Sequence, residues 1–220
     1  MEIINFIHIP KNGGTSMKQL CYKNFILKCN DRNLNLYNKN FFLKYNGHGS
    51  NVNDKNLKNQ LVILRDPIDR FISCVYYALQ KWSHTPHINY LISKGIDTPD
   101  KWVQIWSNPS HEEHKHLMIE LSNVKNTKIG NITPNYNWIY CPQFCWINNP
   151  RFIIIMDNLD DEIEYFKNKY NIKGDIIHTN KSNHVDSYLS EKSKDFLMNF
   201  YKKDYEIYKK YKNMSKEERI

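Results

Sequence analysis

Three short apolar runs, Ile3–His8, Leu61–Leu64 and Phe152–Met156, stand out from a chain rich in Asn, Lys and Tyr, and none of them alternates. A strand with one face in water alternates apolar and polar residues. A continuous run fits a strand covered on both faces, as in a parallel sheet. Helix signals follow each run. One helix continues from the glycines after the first run, from Thr15 to about Leu27. Asp66-Pro67 supplies an N-cap and a first helical residue after the second. Leu159–Tyr170, acidic at its start, follows the third. Strand–helix alternation with right-handed crossovers predicts an α/β three-layer sandwich with a central parallel sheet.

Weaker signals fill in the rest. Phe41–Tyr45 reads as a further strand, and Thr98-Pro99 opens a helix carrying Trp102, Val103 and Trp106. Ser110 with Glu113 has the spacing of a capping box. A last helix starts at Ser190 with Phe196, Leu197, Phe200, Tyr201, Ile207, Tyr208 and Tyr211 at helical spacing, and its charged tail, Lys209 to Arg219, is expected to fray. Asn30–Asn59 and Asn123–Asn137 are polar and read as long surface loops. No repeat or linker divides the chain, so residues 1–220 are expected to form one domain.

The chemistry concentrates in two strand–loop–helix segments. The first is Phe6-Ile-His-Ile-Pro-Lys-Asn-Gly-Gly-Thr-Ser-Met17. A strand ending in this loop, with a helix behind it, gathers backbone N–H groups around one small volume. Gly13 and Gly14 let the chain turn and let an anion approach, and the helix points its positive end there. Lys11 adds a full charge, and Thr15 and Ser16 add hydroxyl donors. Lysine precedes the glycines, the reverse of the Walker A order, so an ATP or GTP loop is a poor match.

The second is Val62-Ile-Leu-Arg-Asp-Pro-Ile-Asp-Arg-Phe-Ile-Ser73. Arg65 sits at the carboxyl end of its strand, the edge where open α/β sheets bind ligands. Ser73, eight residues on, lies two turns into the helix and is expected to face back toward Arg65. A guanidinium and a hydroxyl form a competent clamp for a second phosphate. Asp66 and Asp69 read as helix-start residues, with Arg70 placed to pair with either. Two anion sites on one sheet edge imply a ligand with two separated anionic groups.

His8-Ile-Pro-Lys-Asn-Gly-Gly-Thr-Ser16 resembles the 5′-phosphosulfate loop of the carbohydrate sulfotransferases, and Leu64-Arg-Asp-Pro-Ile-Asp-Arg-Phe-Ile-Ser73 resembles their 3′-phosphate motif. More loosely, Phe152–Leu159 with Asp160-Asp161-Glu162, His178-Thr-Asn-Lys-Ser182, and a closing helix with Tyr201 and Asp204 are similar to the family's later elements. The middle, about Lys81 to Asn149, is left unassigned. The resemblance implies a P-loop-like sulfotransferase fold and 3′-phosphoadenosine 5′-phosphosulfate (PAPS) as donor, with 3′-phosphoadenosine 5′-phosphate as product. It implies a glycan hydroxyl as acceptor and no metal. Lys11, Asn12, Gly13, Gly14, Thr15 and Ser16 would hold the phosphosulfate and Arg65 and Ser73 the 3′-phosphate; Lys181 and Ser182 either close over that phosphate or form a surface turn.

Lys11 then stabilises charge on the leaving phosphate, and a base for the acceptor must come from elsewhere. His48, in Asn46-Gly-His-Gly-Ser50, is the candidate, since histidine takes a proton near neutral pH. In the uronyl 2-O-sulfotransferase branch a Gly-His element occupies a similar place, preceded by another histidine where this chain has Asn46. A carboxylate from the middle region is the alternative base. His84 and His87 either line an acceptor groove or are solvated.

Charge and composition exclude less. A net charge of +8 suits any anionic partner. Two other function classes compete: a nucleotide-dependent kinase with a variant loop, opposed by the lysine order, and a basic nucleic-acid-binding module, opposed by lysines scattered among acids. His111-Glu-Glu-His114 has its second histidine at i+3, which fails zincin spacing. The five cysteines lack Cys-x-x-Cys pairs and read as free thiols, with a Cys21–Cys29 disulfide as the minority reading. The start of the chain has no signal-peptide h-region, and no stretch approaches the roughly 20 apolar residues of a membrane span. The expectation is a soluble, cytoplasmic protein.

Overall fold

A computed structural model describes residues 2–23, 35–37, 41–46, 58–122, 136–170 and 187–220. The three apolar runs form β1 (Glu2–Ile7), β4 (Gln60–Leu64) and β5 (Phe152–Ile155), and the weaker signal forms β3 (Phe41–Asn46). These four strands are parallel, with β1 between β3 and β4, and β5 outside β4. A three-residue strand, β2 (Asn35–Tyr37), adds antiparallel to β3, giving the order β2-β3-β1-β4-β5. The expectation that Asn30–Asn59 is a surface loop apart from the strand signal at Phe41–Tyr45 is thus corrected at β2. A three-residue edge strand exists by pairing with its neighbour and leaves little pattern of its own.

Both faces of the sheet are covered, as unalternating runs require. On one face Ile4, Phe6, Leu61, Ile63, Phe152 and Ile154 pack on Met17 of α1 (Gly14–Lys23) and on Leu159, Ile163 and Phe166 of α6 (Leu159–Tyr170). On the other, Ile7, Val62, Leu64, Ile153 and Ile155 meet Cys141, Cys145, Trp146 and Tyr208. Each fully buried Leu, Ile or Phe contributes about 1.5–3 kcal/mol by leaving water, so these two faces hold the three layers together.

A third core lies among helices. It joins α2 (Pro67–Lys81), α3 (Pro86–Ser93), α4 (Pro99–Trp106), α5 (His114–Leu121) and α7 (Glu191–Phe200) around Phe71, Trp102, Trp106 and Tyr140. Asp66 caps α2 through bonds from the Ile68 and Asp69 N–H groups, and Thr98 caps α4. The Ser110–Glu113 box does not form: α5 starts at His114 with Glu113 at its N-cap and no side-chain cap. The Glu113 N–H instead donates to Nδ1 of His111.

The closing helix is two helices. Tyr201, with its hydroxyl bonded to the Tyr140 carbonyl at 2.8 Å, breaks α7 from α8 (Lys202–Lys212). The tail is also more ordered than its charge suggests. Ser215 and Glu218 form a capping box on α9 (Lys216–Arg219), and Arg219 makes a bidentate pair with Glu162 at 2.6 and 2.7 Å. Arg219 is 6% exposed and Glu162 2%, so the expectation of fraying is corrected. Among the described residues no helix is long and apolar enough to cross a membrane.

Candidate active site

The strand order changes direction at β1. From β1 the chain goes through α1 to β3 on one side, whereas β4 and then β5 follow on the other. The crevice at the carboxyl ends of β1 and β4 is the place where such a sheet binds ligands. Both loops singled out from the sequence open there.

In the first loop Lys11 has φ 64° and Gly13 φ 70°, two left-handed turns within three residues. For Lys11 that conformation costs on the order of 1 kcal/mol. It reverses the chain so that Asn12 points inward, 1% exposed, and α1 starts at Gly14. The Ser16 and Met17 N–H groups turn back to the Gly13 carbonyl. The first-turn N–H groups before them have no helical acceptor. Gly13 is required by the turn and by contacts, Gly14 by contacts alone. A Cβ on Gly14 would sit 1.8 Å from Cδ2 of His8, and one on Gly13 would sit 2.9 Å from the Met156 sulfur. His8 itself is fixed by a 2.5 Å bond between its Nδ1 and the Tyr45 hydroxyl.

The Lys11 ammonium lies 4.3 Å from the centroid of the Tyr77 ring on α2. Burial lowers its pKa from the ordinary lysine value, and the nearby Arg65 charge adds to the shift. Arg65 is half-buried and donates from Nη1 to the Lys11 carbonyl at 3.2 Å, so the two loops touch. Burial lowers the Arg65 pKa too. Among the described residues no carboxylate forms an ion pair with Lys11 or Arg65. Ser73 is buried within α2, and no bond joins it to Arg65. Thr15 is half-buried and Ser16 buried.

Three residues organise these loops through contacts that the sequence did not reveal. Arg70 was expected beside Asp66 or Asp69. It is instead 1% exposed and donates from Nε to the Pro10 carbonyl at 3.0 Å and from Nη2 to the Ile139 carbonyl at 2.9 Å. Gln143, in a 3-10 turn over Gln143–Trp146, donates from Nε2 to the Arg65 carbonyl at 2.8 Å. Its Oε1 accepts from the Arg65 N–H at 3.2 Å and from Nδ2 of Asn12 at 2.5 Å. Asp204 on α8, 2% exposed, accepts from the backbone N–H groups of Gln143 and Phe144 at 2.6 and 2.8 Å. Burial pushes the Asp204 carboxyl up, and those two N–H bonds pull it back. A glutamine before a Phe-Cys-Trp turn carries no periodic signal; only the fold reveals it.

His48 and Lys181 lie outside the described residues, as do Ser182 and Cys29. Of the other histidines, His87 bonds Glu120 at 2.8 Å, whose second oxygen accepts from the buried Tyr140 hydroxyl at 3.0 Å. His114 bonds the Ile105 carbonyl. Cys74, Cys141 and Cys145 are buried free thiols, as expected. Trp102, Trp106 and Trp146 are core residues.

At the switch point of this α/β sheet a glycine loop, a lysine and an arginine come together. The chain belongs to the sulfotransferase family, whose family profile matches residues 2–212. No match to the chain was found among curated proteins or among solved structures. Sulfuryl transfer is therefore its class of reaction.

Proposed function

We propose that the protein is a PAPS-dependent O-sulfotransferase acting on a hydroxyl of a carbohydrate acceptor. The observation that carries this reading is that half-buried Lys11 and Arg65 lie on two loops that touch at the switch point, with neither side chain in an ion pair among the described residues and with Asp69 and Asp66 only acting on Arg65 through their charge. Burial disfavours both charges, and an anion bound between their loops would offset that cost. The two residues head separate loops, which suits a donor carrying a 5′-phosphosulfate and a 3′-phosphate.

The donor supplies an activated sulfuryl group on a phosphate leaving group. The N–H groups at the head of α1, with Thr15 and Ser16, bind and orient the phosphosulfate. Lys11 holds its charge where negative charge grows on the bridging oxygen. Arg65 and Ser73 hold the 3′-phosphate, with Lys181 closing over it. His48 takes the proton of the acceptor hydroxyl. The Gly-His element that contains it resembles one in the uronyl 2-O branch, which suits a glycan acceptor, but Asn46 stands where that branch has a further histidine and argues against membership of it.

The test is transfer of radiolabelled sulfate from PAPS to a glycan panel, alongside binding of 3′,5′-adenosine bisphosphate and ATP. Lys11→Ala is expected to abolish transfer with the fold intact. Arg65→Ala is expected chiefly to raise the donor KM. Undiminished turnover by Lys11→Ala, or ATP bound more tightly than the bisphosphate, would overturn the reading.

A further inference from the structure

Gln143 is 1% exposed, yet it has no place in the chemistry described above. Both ends of its side-chain amide are engaged. One end takes the Arg65 carbonyl, and the other takes the Arg65 N–H together with the Asn12 amide. Arg65 heads the second anion loop and Asn12 lies inside the first, so one side chain is bonded to both. Its own backbone is immobilised by Asp204, which reaches in from α8. Asn12 is further fixed to β4 through the Ile63 carbonyl at 2.7 Å.

A buried amide with every group bonded is rigid, because any shift leaves a desolvated donor or acceptor unmatched. The spacing of the two loops is then set by protein–protein bonds before a donor arrives, as preorganised binding requires. We propose that Gln143, held by Asp204, is the positioning residue that couples the two anion loops. The protein thereby selects a nucleotide carrying phosphates at both the 5′ and 3′ positions over one carrying either alone. This inference rests on the donor reading given under the proposed function.

The experiment measures Kd for 3′,5′-adenosine bisphosphate and for 5′-adenosine monophosphate in the full chain, by calorimetry, and takes their ratio. Gln143→Met keeps the side-chain length and removes every amide bond. It is expected to cut the preference for the bisphosphate at least about tenfold, whereas a purely structural loss weakens both nucleotides alike. Asp204→Asn, which disturbs the support and keeps the volume, is expected to shift the ratio in the same direction and serves if Gln143→Met does not fold. In an Arg65→Ala background, Gln143→Met should leave the ratio unchanged, since the coupled partner is gone. A wild-type preference that Gln143→Met or Asp204→Asn leaves intact overturns the coupling role alone. Wild-type protein that binds neither nucleotide overturns the donor reading and this inference with it.

Discussion

Gly14→Ala is the sharpest perturbation that the first loop offers. Two effects oppose each other. Gly14 opens α1, and alanine is the better helix residue by about 1 kcal/mol. The new methyl, however, would lie 1.8, 2.0 and 2.6 Å from Cδ2, Nε2 and Cγ of His8. Carbon contacts settle near ~3.5–4.0 Å, so the ring would have to retreat by roughly 1.5–2 Å. It has little room to do so, with Nδ1 bonded to Tyr45 at 2.5 Å and Phe6 stacked at 6.2 Å. Overpacking of this kind costs about 3 kcal/mol. The net loss is then about 2 kcal/mol, which for a chain of this size lowers Tm by roughly 4–8 °C. Thermal unfolding monitored by circular dichroism measures it, with calorimetry of 3′,5′-adenosine bisphosphate following the loop. In a His8→Ala background the clash is gone, and Gly14→Ala should be neutral or stabilising by up to about 1 kcal/mol. Equal destabilisation in both backgrounds would refute the steric argument, and so would an unchanged Tm in the single variant.

Binding of 3′,5′-adenosine bisphosphate should also report on the Lys11 charge. Burial lowers the Lys11 pKa below its ordinary 10.5, and the anion binds the protonated form, so affinity should fall as pH rises into the alkaline range below that value. Lys11→Arg should remove this limb of the titration, and a limb that persists in that variant would assign it to another group. Arg219→Met removes one partner of a buried pair with Glu162 and is expected to cost about 3–5 kcal/mol in urea unfolding. Adding Glu162→Leu should recover much of that, because the stranded carboxylate is then gone; no recovery would mean that the pair's bonds to the rest of the tail carry the stability.

What the sequence made legible follows from how each element is stabilised. β1, β4 and β5 are buried on both faces, so burial wrote itself into contiguous Ile, Leu, Val and Phe. Asp66, Thr98 and the Leu159 start show local rules that act within four residues, and the structure keeps them. β2 is held by pairing with β3, and the break at Tyr201 is held by a bond to Tyr140 across 61 residues. Neither leaves a local trace, since no glycine or proline marks the break. Arg70 shows the same point inside the site. Its nearest acids in sequence are Asp66 and Asp69, yet the fold turns its guanidinium to the carbonyls of Pro10 and Ile139. There it satisfies the buried Pro10 carbonyl and shares the Ile139 carbonyl with the Cys74 thiol.

The three arginines that matter therefore divide by what completes them, and the division locates function. Arg70 is buried and ends on two carbonyls. Arg219 is buried and ends on a carboxylate and the Ile153 carbonyl at 3.0 Å. Each closes a structural account within the fold. Arg65 gives one bond to the Lys11 carbonyl and Lys11 rests on the Tyr77 ring, so among the described residues neither cation ends on a carboxylate. Burial lowers the pKa of both, and the Arg65 charge lowers that of Lys11 further, which is unfavourable for the folded chain by itself. A fold keeps such an arrangement rigid, through Gln143, Asp204 and Arg70, when an anionic ligand repays the repulsion on binding. Lys11 and Arg65, more than the glycines around them, are the reason for proposing this crevice as the reaction site.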